Sequence, residues 1–233
     1  MSDALTLLSR LSVLIFAIAS MASIGLRYSV DEIIGPLRDV RGVTLALAAN
    51  FVAVPILAFG ILRLFRLDTP YALGLLLIAS AAGAPMIVKF AEIAGGDVAF
   101  SAGLLVLLIV VSIAYMPLVV PLLAPGAEIN AWAIAAPLVL TMLLPLGAGL
   151  LVKRVAPAVW RILPVLGVVA NVSLVTLVVL TFALNLPSVR SVFGTGAIIA
   201  SLLFIGGALG IGWVFGGAFG EHLRDEMALS TAM

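Results

Sequence analysis

Apolar residues run along this chain in seven long blocks separated by short polar connectors. Each block approaches the roughly 20 residues that a helix needs to span a bilayer. The blocks predict spans over residues 11–26, 43–62, 71–93, 98–123, 132–152, 162–184 and 192–219. The third block is the unusual one, because Gly83-Ala84-Pro85 falls near its middle and Lys89 follows one turn later. Proline has no N–H, and its ring clashes with the carbonyl four residues back, so a regular helix is expected to break near Ala81 to Ala84. In hydrocarbon, freed backbone groups survive only when buried in protein or lining a wet cavity. Such a break is a sequence pointer to a transporter binding site, with Ser80, Gly83, Pro85 and Lys89 beside it. The alternative is a proline kink that serves packing alone.

Other polar positions interrupt the blocks. Asn50 and Pro55 lie in the second, where an unpaired amide would be costly. Its alternatives are contact with a substrate cavity or an interhelical hydrogen bond. Asn171, Ser173 and Thr176 pose the same choice in the sixth. Ser80 and Ser112 are expected to bond carbonyls of their own helices. Asp68-Thr69-Pro70 reads as a helix start, Gly95-Gly96-Asp97 as a tight turn, and Asp97 as the cap of the next helix. The seventh block holds Gly206, Gly207, Gly210, Gly212, Gly216 and Gly217, expected to let helix backbones approach closely.

Composition narrows the class. The chain is 64% hydrophobic and 10% charged, far from the balance of a soluble domain, so an all-α integral membrane protein is expected. Cysteine is absent and the single histidine, His222, lies in the polar tail, which removes thiolate nucleophiles, metal sites of His and Cys, and His-based triads within the membrane. An enzyme and a resident metal or cofactor are therefore not expected, and a net charge of +1 carries no signature of nucleic-acid binding. Arg27, Arg38, Arg41, Lys89, Lys153, Arg154, Arg161 and Arg224 fall on one side of the expected topology; Arg10, Arg63, Arg66 and Arg190 fall on the other. The bias places the N-terminus outside and the C-terminus in the cytoplasm of a multi-pass protein of the cell membrane.

Three further patterns occur in order along the chain. Met21-Ala22-Ser23-Ile24-Gly25-Leu26 ends the first block, Ala49-Asn50-Phe51-Val52-Ala53-Val54-Pro55 lies in the second, and Gly96-Asp97-Val98-Ala99-Phe100-Ser101 opens the fourth, which runs on to Pro117. With the broken third block, they make the chain resemble the bile acid:sodium symporter family over nearly its whole length. The resemblance implies a partial inverted-repeat transporter fold with a panel part, and a core part in which two broken helices cross. It implies a secondary transporter that moves a small organic anion by alternating access, with the lipid bilayer as its surroundings and an oligomer as one option. The second broken helix would begin near Glu226 to Met233, so residues 220–233 are either a cytoplasmic tail or its start. A truncated, non-transporting scaffold or assembly partner is the alternative.

The departures concern the coupling ion, Na+ or H+. Where the family carries a Ser-Asn pair that helps ligate sodium, this chain has Ile87 and Val88, and Leu105 replaces an expected hydroxyl. Ser101 remains as an ion-binding candidate. Sodium is a hard cation that wants several oxygen ligands, so the first sodium site is expected to be lost. Lys89 then has two readings. Its ammonium could meet an anionic substrate, or its stem could snorkel to the membrane face with Glu92 nearby.

Overall fold

The computed structural model describes residues 2–65, 67–123, 131–193, 195–217, 228 and 230–231. Among these residues the chain is all helical, in two compact units. Six helices are long and apolar enough to cross a membrane: Ala4–Arg27, Val40–Phe65, Val98–Leu122, Ala135–Val155, Leu163–Leu184 and Ala197–Gly216. The chain is a multi-pass membrane protein, and its exposed faces are rows of Leu, Ile, Val and Phe of the kind that hydrocarbon solvates.

The first unit comprises residues 1–30 and 137–193. It holds α1 (Ser2–Arg27), α9 (Leu144–Val155), α10 (Leu163–Leu184) and the short α11 (Leu186–Val192), with α8 (Ala131–Leu138) entering it at Pro137. A π-helical turn, Val139–Leu143, separates α8 from α9 just before Pro145. Helices α1 and α9 cross at two glycines. A Cβ on Gly25 would overlap the Leu146 carbonyl oxygen and lie 3.0 Å from the Leu150 nitrogen; one on Gly149 would lie 2.7 Å from the Ala22 carbonyl oxygen. Lys153 donates to the Arg27 carbonyl at 2.8 Å, so the C-terminal ends of these helices sit together.

The second unit comprises residues 31–136 and 194–233. It opens with α2 (Val30–Ile34) and a 3-10 turn, followed by α3 (Val40–Ala48), a π-helical turn over Ala49–Ala53, and α4 (Val54–Phe65). Then come α5 (Thr69–Ser80), α6 (Met86–Ala94), α7 (Val98–Leu123) and α12 (Ala197–Gly216). Its core joins Val54, Ala58 and Ile61 of α4, Leu75, Leu76 and Ala79 of α5, and Ala200, Phe204 and Ala208 of α12.

The third block is discontinuous. Helix α5 has 12 residues and α6 has 9. At 1.5 Å per residue these are about 18 Å and about 14 Å long, neither enough to span alone. The start of α5 is as expected, with Pro70 in its first turn, although Asp68 caps through its backbone carbonyl and not its side chain. Helix α6 ends at Gly95, whose φ of +73° is the left-handed cap that glycine adopts at low cost. The Asp97 carboxylate then accepts from the Ala99 and Phe100 N–H groups at 3.0 Å each, capping α7.

Two expectations need correction. The seventh span starts at Ala197, because left-handed Gly196 separates it from α11, which ends at Val192. Its glycines are also not uniformly packed. A Cβ on Gly207 would lie 2.7 Å from Leu57, but Gly206 and Gly210 meet nothing within 4 Å. In the first unit, backbones approach closely at the Gly25–Gly149 crossing. The expected tail, including His222, lies largely outside the described residues.

Adding a methyl at that crossing forces an overpacked contact, which costs about 1–3 kcal/mol. Gly25→Ala is expected to lower the thermal unfolding midpoint in detergent. Gly147→Ala, at a position with open space around it, should leave the midpoint unchanged or slightly raised.

Candidate functional site

Gly83 and Pro85 shape the break between α5 and α6. Gly83 has φ +95°, a conformation that L side chains rarely adopt. A Cβ there would also lie 3.0 Å from both the nitrogen and Cγ1 of Ile109, and 3.3 Å from the Leu108 carbonyl carbon. The break therefore rests directly on the backbone of α7. Pro85, at φ −57°, supplies the first-turn geometry from which α6 starts, and the Ile87 N–H donates to the Ala84 carbonyl at 3.1 Å.

A second contact fastens the break. The Ser112 hydroxyl donates to the Ala82 carbonyl at 2.9 Å, from α7 across to the interrupted segment. This corrects the expectation that Ser112 bonds within its own helix. An unwound carbonyl at that depth has no helical donor, and a hydroxyl facing it is a better partner than lipid.

The neighbouring helix is irregular for a related reason. Pro55 provides no N–H for the Phe51 carbonyl, its natural partner four residues back, and the helix widens into the π turn over Ala49–Ala53. The Tyr115 hydroxyl donates to that carbonyl at 3.1 Å, and the two rings meet edge-on with centroids 4.8 Å apart. Asn50 lies in the same turn and is buried, and its Nδ2 donates to the Ala46 carbonyl of its own helix at 2.9 Å.

Beside these features lies a small cleft in the second unit, with room for about one water molecule. It is lined by Asn50 and Val54, by Ile78, Ala79, Ala81 and Ala82 at the end of α5, by Phe204 of α12, and by Thr231. The Thr231 hydroxyl donates to the Ala208 carbonyl at 2.6 Å, so this residue packs on α12. Thr231 is not among the site residues expected from the sequence, although it lies in the stretch where the second broken helix is expected to begin.

The candidate residues thus divide. Asn50 lines the cavity; Ser80, Gly83 and Pro85 are buried at the break beside it. Lys89 lies on α6 beyond the break, half-buried, and is not among the lining residues. Asn171 belongs to the first unit and sits on an exposed face of α10 with Val168, Val172 and Val175. Ser101 is fully buried in α7, and its hydroxyl has no hydrogen-bond partner.

The cleft is small, with Asn50 and Thr231 among otherwise apolar lining residues. The α5 end presents carbonyls, and the α6 start presents N–H groups to the same break. Half-helix ends of this kind carry opposite partial charges, which suits a site for ions or polar groups.

Comparison with known families agrees with the motifs. The profile described as the Sodium Bile acid symporter family matches residues 13–192, most of the chain and all of α5, α6 and α7. No curated protein matches the chain.

Two substitutions test the break and the bulge. Gly83→Ala is expected to destabilise the second unit by more than the roughly 1–2 kcal/mol of a left-handed residue, because the methyl also strikes α7. Tyr115→Phe keeps the ring contact and leaves the Phe51 carbonyl unpaired, for a loss of about 1–3 kcal/mol. Chemical or thermal unfolding of each variant in detergent gives both values.

Proposed function

Since the chain belongs to the sodium bile acid symporter family, whose members are transporters, we propose that it moves a small organic anion across the cell membrane. The single observation that carries this reading is the mid-span break at Gly83, opening beside a cavity that Asn50 lines. A helix used only as a packing element has no need to expose unwound backbone at that depth.

Two features support an anionic substrate with an apolar body. Val54, Ile78, Ala79 and Phe204 give the cleft beside the break an apolar lining. The N-terminal end of α6 starts at the break, and a helix N-terminus favours a carboxylate or sulfonate. Asn50 is proposed as the orienting contact, with Ser80, Gly83 and Pro85 shaping the break around it. Lys89 is assigned to the membrane–water boundary, where its stem lies along apolar surface and its ammonium stays solvated. With the cytoplasmic side set by the excess of basic connectors, the N-terminus lies outside.

Alternating access then means that the break is reached from one membrane face at a time. The discontinuous helix suits that role because its two halves can move without unwinding a regular span. Asn171 stands outside the cavity and is not assigned to the substrate.

The test is uptake of labelled organic anions, bile acids and simpler carboxylates and sulfonates, into proteoliposomes holding the purified protein. Uptake of at least one is expected. Asn50→Ala should reduce it by about fivefold to tenfold, the worth of one hydrogen bond to an uncharged group, and Lys89→Met should leave it within about twofold. Failure to move any anion, by protein that unfolds cooperatively, would contradict the proposal and favour a scaffold.

A further inference from the structure

The family is named for sodium, a hard cation held by several oxygen ligands. The seam between α6 and α7, next to the break, supplies almost none. On the α6 side Ile87 is 1% exposed, and Val88 and Ala91 are also buried; on the α7 side Leu104, Leu105, Leu108 and Ile109 are all buried. Ser101 falls on the same face of α7 as Leu105, Leu108 and Ser112, by the three- and four-residue spacing of a helix. Its hydroxyl is the oxygen left without a partner in this stretch of the helix. One isolated hydroxyl among branched aliphatic side chains does not fit sodium.

The break is nevertheless held. Gly83 rests on the backbone at Leu108 and Ile109, and Ser112 donates to the Ala82 carbonyl at 2.9 Å. The Ala81 N–H closes α5 on the Leu77 carbonyl at 3.0 Å, and the Ile87 N–H opens α6 on Ala84. A hydroxyl and a bare glycine thus tie the break to α7.

We propose that the α5–α6 break forms without sodium, with Ser112 and the apolar α6–α7 seam in the place of a bound ion, and that transport at the break does not draw on a sodium gradient. The second half of the proposal rests on the transport reading above; the first half does not. Ser112 is a positioning residue, acting on the substrate only through the segment it holds.

Thermal unfolding of the full chain in detergent decides the first half. The midpoint is expected to be the same in sodium chloride and in potassium chloride of equal ionic strength. Ser112→Ala should lower it equally in both salts, and Ser112→Thr, which keeps a hydroxyl, should restore it. A sodium-specific rise in the midpoint that disappears in Ser101→Ala would overturn the proposal, and this comparison needs only the wild type and the Ser101 variant if Ser112→Ala fails to fold. Uptake into vesicles decides the second half: replacing external sodium with potassium or N-methylglucamine should leave the rate unchanged, and loss of uptake on that replacement would overturn it. Absence of uptake in every salt would count against transport itself, while the unfolding comparison still decides whether the seam holds sodium.

Discussion

The constraint on which the second unit depends is the seating of Gly83 against the backbone of α7. A helix that stops in the middle of a span leaves carbonyls and N–H groups facing hydrocarbon, each costing several kcal/mol unless satisfied. The chain meets that cost locally. Gly83 lets the interrupted segment approach α7 to contact distance, and the approach brings Ala82 within reach of Ser112. A Cβ at Gly83 would press on α7 and disturb that contact, and without the hydroxyl the Ala82 carbonyl would lose its side-chain partner.

The same logic recurs beside it. Pro55 deprives the Phe51 carbonyl of its helical donor, the helix widens by a π turn, and Tyr115 supplies the donor from α7. Helix α7 therefore serves both irregular segments of the unit, through Ser112 on one and Tyr115 on the other. It is otherwise nearly uniformly apolar, so these two hydroxyls are conspicuous in function although inconspicuous in sequence. Between the segments they hold lies the cavity with Asn50 at its edge.

How much of this could be read from residues alone follows from the range of the interactions. The break at Ala81 to Ala84, the turn at Gly95 and the Asp97 cap depend on proline, glycine and carboxylate chemistry within a few residues, and all three were legible. The partner of Ser112 was not, since a hydroxyl in a helix has a carbonyl four residues back always in reach, and only packing shows that a needier one lies across the interface. The Gly25–Gly149 crossing was hidden for a similar reason: its two residues are far apart in the chain, whereas the glycine-rich seventh block drew attention by density alone. Thr231 lies where the second broken helix is expected to begin, but its place at the cavity could be seen only from its packing against Ala208.

In functional terms the chain has a broken helix, and the α6–α7 seam beside it is packed with buried aliphatic side chains. A wet, mid-depth opening at the break is the claim on which the account turns, and the cysteine-free sequence makes it directly testable. Single cysteines placed in turn at residues 78–86 can be challenged in permeabilised membranes with a charged, membrane-impermeant thiol reagent. Labelling is expected at Ala81→Cys and Ala82→Cys, which line the cavity, with protection at Ser80→Cys, which is buried and is not among the lining residues. Absence of labelling at every position of the break would contradict the account, leaving a dry kink between two packed helices.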